Sequence, residues 1–271
     1  MRTRYAVERW YLVLVGLFLG ACASGSGSAR GGYAQSFDSA TSGCRQTPAY
    51  CQAAVGEETV VPVVTRAHAA SVGASLAGAV KLFEGDHQKD VEKLLKDCVE
   101  QASAEVNLRW FGGPPTAAQC AEQVGVDARG NPIRRAMTLG TEKHRIALRC
   151  IQERLSELRP DGFSVEQRYR FDRKSNQTSL LSEEEAQALL RQGRGDQLRG
   201  TVRPDLVIHG GDPLKAQAVY DLKFPCPGSN EAKWNDYPQE HPHFPLNQGE
   251  VYKRALRVMP VRVAPGWGLV P

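Results

Sequence analysis

Three ionisable residues stand where a buried sheet should carry none. In the stretch "RPDLVIHGGDPLKAQAVYDLKFPCP", Arg203 to Pro227, two apolar runs flank a Gly-Gly-Asp-Pro turn, and the runs carry Asp205, Asp221 and Lys223. Side chains alternate along an extended strand, so Asp221 and Lys223 project from one face. Burying two carboxylates and an ammonium without partners is strongly unfavourable. Two arrangements offset that cost. In one, Lys223 bridges Asp205 and Asp221 as an ion-pair network with no chemistry. In the other, the carboxylates hold a hard divalent cation, Mg2+ or Mn2+, while the lysine handles an attacking water. Magnesium prefers oxygen ligands and is often held by only one or two carboxylates, waters and a phosphate, which suits phosphodiester hydrolysis.

The elements that would position these groups can be read from patterning. The runs 203 to 209 and 216 to 224 predict two strands joined by a tight turn, hence antiparallel neighbours. After Thr141, "EKHRIALRCIQERLSELRP" predicts a helix of about seventeen residues that Pro160 stops. At about 100° per residue, Ala147, Leu148, Ile151, Leu155 and Leu158 share one face of it, with His144 in the middle and Glu142 almost opposite. "FSVEQRYRF" alternates like one half-buried strand, and Ser182 with Glu185 has capping-box spacing before a short helix. A Pro-rich loop, 225 to 246, carries Trp234, Tyr237, His241, His243 and Phe244; it reads equally as a substrate-recognition loop or as an ordered surface loop with its aromatics tucked inward. It leads into "NQGEVYKRALRVM", a helix with Gln248 and Tyr252 one turn apart, and "VMPVRVAP" predicts a last strand. From Thr141 the expected order is therefore helix, strand, short helix, strand, strand, helix, strand, in a unit that begins near Gly130.

The order and spacing of these residues resemble the PD-(D/E)xK, restriction-endonuclease-like nucleases. Pro204-Asp205 and Asp221-Leu222-Lys223 are similar to the signature pair of that family. Upstream, Gly140 and His144 resemble the Gly-x-x-x-His motif of its RecB-type branch, and downstream Gln248 and Tyr252 resemble that branch's Gln-x-x-x-Tyr helix. The resemblance implies an α/β (α+β) fold, a central mixed sheet flanked by helices over residues 130–271, and a metal-dependent nuclease of DNA or RNA. Asp205, Asp221, His144 and the backbone carbonyl of Leu222 would hold Mg2+ or Mn2+. Lys223 would orient water or stabilise charge on the phosphate, and Gln248 and Tyr252 would position the phosphate or the lysine. Glu142 is the reserve ligand, since many relatives outside the RecB-type branch use a glutamate on this helix.

The start of the chain points to export. Arg2, Arg4 and Arg9 precede an apolar or small run from Trp10 to Ala21, twelve residues long and too short to span a bilayer comfortably. It ends in Leu-Gly-Ala-Cys, which resembles a lipobox with Cys22 as the lipidated residue; an ordinary signal peptide is the simpler alternative. Ser24, with no aspartate beside Cys22, implies sorting to the outer membrane. Residues 22–43 read as a Gly/Ser tether. Residues 44–129 read as a mostly helical N-terminal region. Within it, Glu57 to Phe83 reads as a small-residue core helix or a membrane-active segment, and "HQKDVEKLLKDCVEQASAEV" as an amphipathic helix.

Six cysteines remain after Cys22, an even number that permits disulfides in an exported chain, with Cys44–Cys51 the best single guess. The net charge of +4 permits nucleic-acid binding without arguing for it. A nuclease on a lipid anchor resembles the swarm-inhibition lipoprotein toxins of social gliding bacteria. That resemblance implies transfer to a recipient cytoplasm and a cognate immunity protein. The alternatives are a non-catalytic envelope lipoprotein that keeps the fold and a nuclease that scavenges extracellular DNA.

Overall fold

The structure, a computed structural model, describes residues 83–127 and 130–271. Cys22, Cys44, Cys51, the signal and tether segments, and all of Glu57 to Phe83 except Phe83 itself lie outside the described residues. The chain order is α1 (Asp86–Phe111), α2 (Ala117–Ala121), β1 (Gln123–Val126), β2 (Pro132–Arg134), α3 (Arg135–Leu158), β3 (Phe163–Val165), β4 (Arg168–Asp172), β5 (Gln177–Leu181) and α4 (Glu183–Arg191). After a 3-10 turn over Gly195–Leu198 come β6 (Thr201–Val202), β7 (Leu206–His209), β8 (Ala216–Leu222), α5 (Gln248–Leu256), β9 (Pro260–Ala264) and β10 (Gly268–Val270). No helix among the described residues is long and apolar enough to cross a membrane.

The expected central mixed sheet is present. It has five strands in the order β10-β9-β8-β7-β3, with β8 and β9 parallel and the other pairs antiparallel. One face is covered by α1 and α3, whose Leu94, Leu95, Ala147 and Ile151 pack on Leu206, Ile208, Tyr220 and Leu222. The other face is covered by α5 and a three-stranded sheet, β5-β4-β6, through Val251, Tyr252, Tyr169 and Val202 on Val207 and Val219. Residues of alternate parity along β7 and β8 therefore feed two different cores, as an extended backbone requires. The helix α1, on the N-terminal side of Gly130, shares the first core with α3, and the disulfide Cys98–Cys150 joins the two helices.

Several boundaries differ from the sequence expectation. The run read as a single strand is broken at Glu166, whose φ of 52° turns the chain so that β3 joins the five-stranded sheet and β4 the three-stranded one. A left-handed backbone at a residue other than glycine is uncommon and ends regular pairing. The helix α3 begins at Arg135, ahead of Thr141, because the β1–β2 hairpin delivers the chain directly into its first turn. The leucines before Ser182 form β5, while Ser182 caps α4 by accepting from Glu185 N as its spacing suggested. Pro160 does stop α3, with Gly162 and Arg159 closing the turn behind it.

Candidate active site

The hairpin β7–β8 sets the register. Leu206 pairs with Tyr220 and Val207 with Val219, so Asp205, one residue before β7, lies beside Asp221 near the end of β8. The Leu222 amide donates to Asp205 Oδ2 at 2.6 Å, and the Asp205 carbonyl accepts from Glu166 N at 3.0 Å. The His144 ring reaches the same carboxylate from α3, with Nε2 2.9 Å from Oδ2. Asp205 and His144 are both buried, at 0 % and 2 % exposure.

Asp221, Lys223, Gln248 and Tyr252 form a second group, closed into a ring. Lys223 Nζ lies 2.6 Å from Asp221 Oδ2 and donates to Gln248 Oε1 at 2.8 Å. Gln248 Nε2 donates to the Tyr252 hydroxyl at 2.9 Å, which in turn donates to Asp221 Oδ1 at 3.4 Å. The spacing Gln-x-x-x-Tyr places both side chains on one side of α5, and Asn247 fixes where that helix starts by accepting from Glu250 N while Glu250 accepts from the Asn247 amide.

The donor set fits a divalent cation. His144, Glu166 and Asp205 each offer one ligand atom, and the three atoms lie within 4.8 Å of one another. The two carboxylate oxygens suit Mg2+ or Mn2+, the imidazole is a ligand more typical of zinc, copper, iron or nickel, and no thiolate belongs to the set. Asp221 is not one of this trio; its carboxylate is engaged by Lys223 and Tyr252. Leu222 contributes its amide to Asp205, and in an extended strand the carbonyl of the same residue points to the same side. Glu142 is placed elsewhere: it pairs with Arg109 and accepts from Trp110 Nε1 at 2.8 Å, both on α1. The reserve role required α3 to start later or rotate, whereas α3 starts earlier and turns Glu142 toward α1.

Glu166 is the residue that sequence reasoning missed. Its only signal was the polar Glu166-Gln167 pair interrupting an apolar alternation. Arg203 holds it, with Nε donating to its carbonyl at 2.9 Å and Nη2 3.3 Å from Oε2. Next to His144 in the chain, Lys143 is buried, and desolvation pushes its ammonium down to about 8 against the opposing pull of Glu142.

The loop aromatics divide. Tyr237 stacks on His241 with centroids 4.1 Å apart, and His241 and His243 are buried, whereas Phe244 is exposed. Trp234 lies on the ring of site residues, its indole centroid 5.1 Å from Lys223 Nζ and 6.0 Å from that of Tyr252. Comparison with protein-family models, with curated proteins and with solved structures finds no match for this chain.

Proposed function

We propose that this chain is a metal-dependent nuclease that hydrolyses phosphodiester bonds of DNA or RNA. The observation that carries the reading is the convergence of His144, Glu166 and Asp205 beside the Asp221–Lys223 pair, at the ends of the two central strands. His144, Glu166 and Asp205 would hold Mg2+ or Mn2+, with Asp221 and the Leu222 carbonyl as further oxygen donors, and the ion would supply an activated water and a Lewis acid for the scissile phosphate. Lys223 directs its ammonium at the phosphate or the water, where a fixed cation is most effective because the surroundings are dry. Gln248 and Tyr252 hold that ammonium in place. Asp205 is aimed by the Leu222 amide at the end of β8 and His144 is carried by α3, while Glu166 sits on the turn between β3 and β4, held by Arg203. On the outer face of α5, Lys253, Arg254 and Arg257 line an open cleft with Asn176 and one acidic residue, Glu250, so that cations outnumber carboxylates there by three to one. Such a face favours a polyanionic substrate.

The same proposal extends to the setting. The Cys22 lipobox and the disulfides Cys98–Cys150 and Cys120–Cys226 support an exported, lipid-anchored protein folded in an oxidising compartment, with the outer membrane as its site. A membrane-tethered nuclease meets nucleic acid in a recipient cell, so it acts there as a toxin and requires a cognate immunity protein in its producer.

The test is cleavage by the purified chain. Labelled plasmid DNA and transfer RNA are each incubated with Mg2+, with Mn2+ and with a chelator. Cleavage should need the metal, and Asp205→Asn should reduce it by at least about a hundredfold. Folded wild-type protein that cuts neither substrate with either metal overturns the reading.

One observation favours a second reading. The ring of Asp221, Lys223, Gln248 and Tyr252 is already closed through its own hydrogen bonds, as a non-catalytic envelope lipoprotein with an ion-paired core would need. Failure to cleave together with an unchanged melting temperature on adding metal would favour it.

A further inference from the structure

We propose that Trp234 closes a cover over this site, and that nucleic acid enters only after the segment 225–247 swings aside. The inference rests on the nuclease reading of the site and describes how that site is regulated.

The groups that must touch a phosphodiester are inaccessible. Asp205 is 0 % exposed, Lys223 2 % and Gln248 7 %. Trp234 lies over Lys223 and against the helix turn that carries Gln248. Its ring sits over the Lys223 ammonium at 5.1 Å and over the Arg262 guanidinium at 5.4 Å, and meets Tyr252 edge-on. It also presses on the first turn of α5 so closely that a Cβ at Gly249 would lie 2.7 Å from the indole. Gly249 is the residue that permits this approach. Trp234 itself is only half-buried, so its outer edge reaches the surface. Trp234 packs with one part of its ring on the core under α5 and also faces two cations, of which the Lys223 ammonium is buried beneath it.

The fastenings of the segment suit release by a polyanion. Arginines donate to its backbone carbonyls: Arg262 to Ala232 at 2.6 Å, Arg173 to Pro242 at 3.0 Å and to Phe244 at 2.8 Å, and Arg199 to Glu240. A neutral carbonyl is the weaker acceptor for a guanidinium, and a phosphate oxygen the stronger one. An arriving nucleic-acid strand therefore competes for the groups that keep the cover shut. The two ends stay fixed, one by the Cys120–Cys226 disulfide and the other by Asn247 capping α5, which confines the movement to the residues between. Because binding needs the open form, the apparent affinity is reduced by the fraction of molecules that are open.

Hydrogen–deuterium exchange on the full chain tests this, with a short single-stranded DNA or RNA oligonucleotide added in chelator so that nothing is cut. Exchange over residues 228–246 should rise when the oligonucleotide binds. Trp234→Ala should raise exchange at 248–252 without any ligand and increase kcat/KM on the order of tenfold. Gly249→Ala, which pushes the ring off without deleting it, should act in the same direction. A bound oligonucleotide that leaves 228–246 as protected as before overturns the cover, as does a Trp234→Ala protein that exchanges like the wild type. Binding and opening without cleavage in Mg2+ or Mn2+ would overturn the nuclease reading alone. A chain that binds neither oligonucleotide overturns both.

Discussion

Lys223 and Asp221 form a charge pair at 2.6 Å with 2 % and 3 % exposure, and such a pair is asymmetric in its energetics. Removing the lysine leaves a buried carboxylate with only the Tyr252 hydroxyl and its remaining neighbours, so Lys223→Met should destabilise the protein by roughly 3–5 kcal/mol. Replacing both, Asp221→Leu with Lys223→Met, should recover most of that loss, since a packed apolar pair needs no desolvation. Urea denaturation of the two variants measures the difference; equal destabilisation would mean that the pair is not coupled. Loss of cleavage in Lys223→Met must accordingly be read beside its stability. At this scale the sequence was informative because residue type and spacing suffice. The parity of 221 and 223 and the one-turn spacing of 248 and 252 are local, and the Gln248–Tyr252 bond follows from the latter, whereas the contact of Lys223 with Gln248 joins residues 25 apart. Glu166 was not legible, because its part depends on a left-handed φ and on Arg203, 37 residues later in the chain.

The segment 225–247, the element with the least regular structure, holds buried groups that titrate in the acid range. It carries His241 and His243, 4 % and 1 % exposed. Burial pushes the His241 imidazole down to about 4, with His243 and Arg199 adding to the effect, and burial lowers His243 as well. Their ordinary value is 6.5. Below that pH the unfolded chain takes up protons that the folded chain refuses, so the contribution of these two histidines to stability is constant above about pH 6.5 and falls as pH drops from there toward 4. His241→Gln should flatten part of this fall. Melting temperatures at pH values across that window decide it, and an unchanged slope in the variant would assign the acid sensitivity to other groups. The helices were the readable elements: α3 and α5 carry long apolar periodicity and clear stop or start residues. Strands β5, β6 and β10 were not readable, since two to five residues give too little alternation to register.

For the whole molecule, two interleaved disulfides bind the N-terminal helices to the sheet domain. Cys98–Cys150 spans 52 residues between α1 and α3, and Cys120–Cys226 spans 106 between α2 and the foot of the cover. Tyr220 also donates to Glu92 at 3.2 Å, and Gly266 N to Glu100 at 2.6 Å, so α1 is fastened across the sheet. Opening loops of that length should cost about 2–4 kcal/mol for each bridge. Thermal melts of the Cys98→Ser, Cys150→Ser protein, with and without reductant, test this; a melting temperature equal to that of the oxidised wild type would show that the bridge adds nothing. A protein that acts in a reducing cytoplasm has to survive this loss, and the margin left by the sheet core sets how long it lasts there.

The sequence by itself determined the local facts: which residues can carry charge chemistry, which face of α3 holds His144, where Pro160 and Asn247 end and begin helices, and that a Gly-Gly-Asp-Pro turn brings two strands together. These follow from backbone periodicity and from φ preferences that act within a few residues. Only the tertiary structure decided which groups meet. It placed Glu166 rather than Glu142 beside His144 and Asp205, paired Cys98 with Cys150 and Cys120 with Cys226, and laid Trp234 on Lys223. Each of these joins positions far apart in the chain, and no local preference encodes which distant partner burial will select.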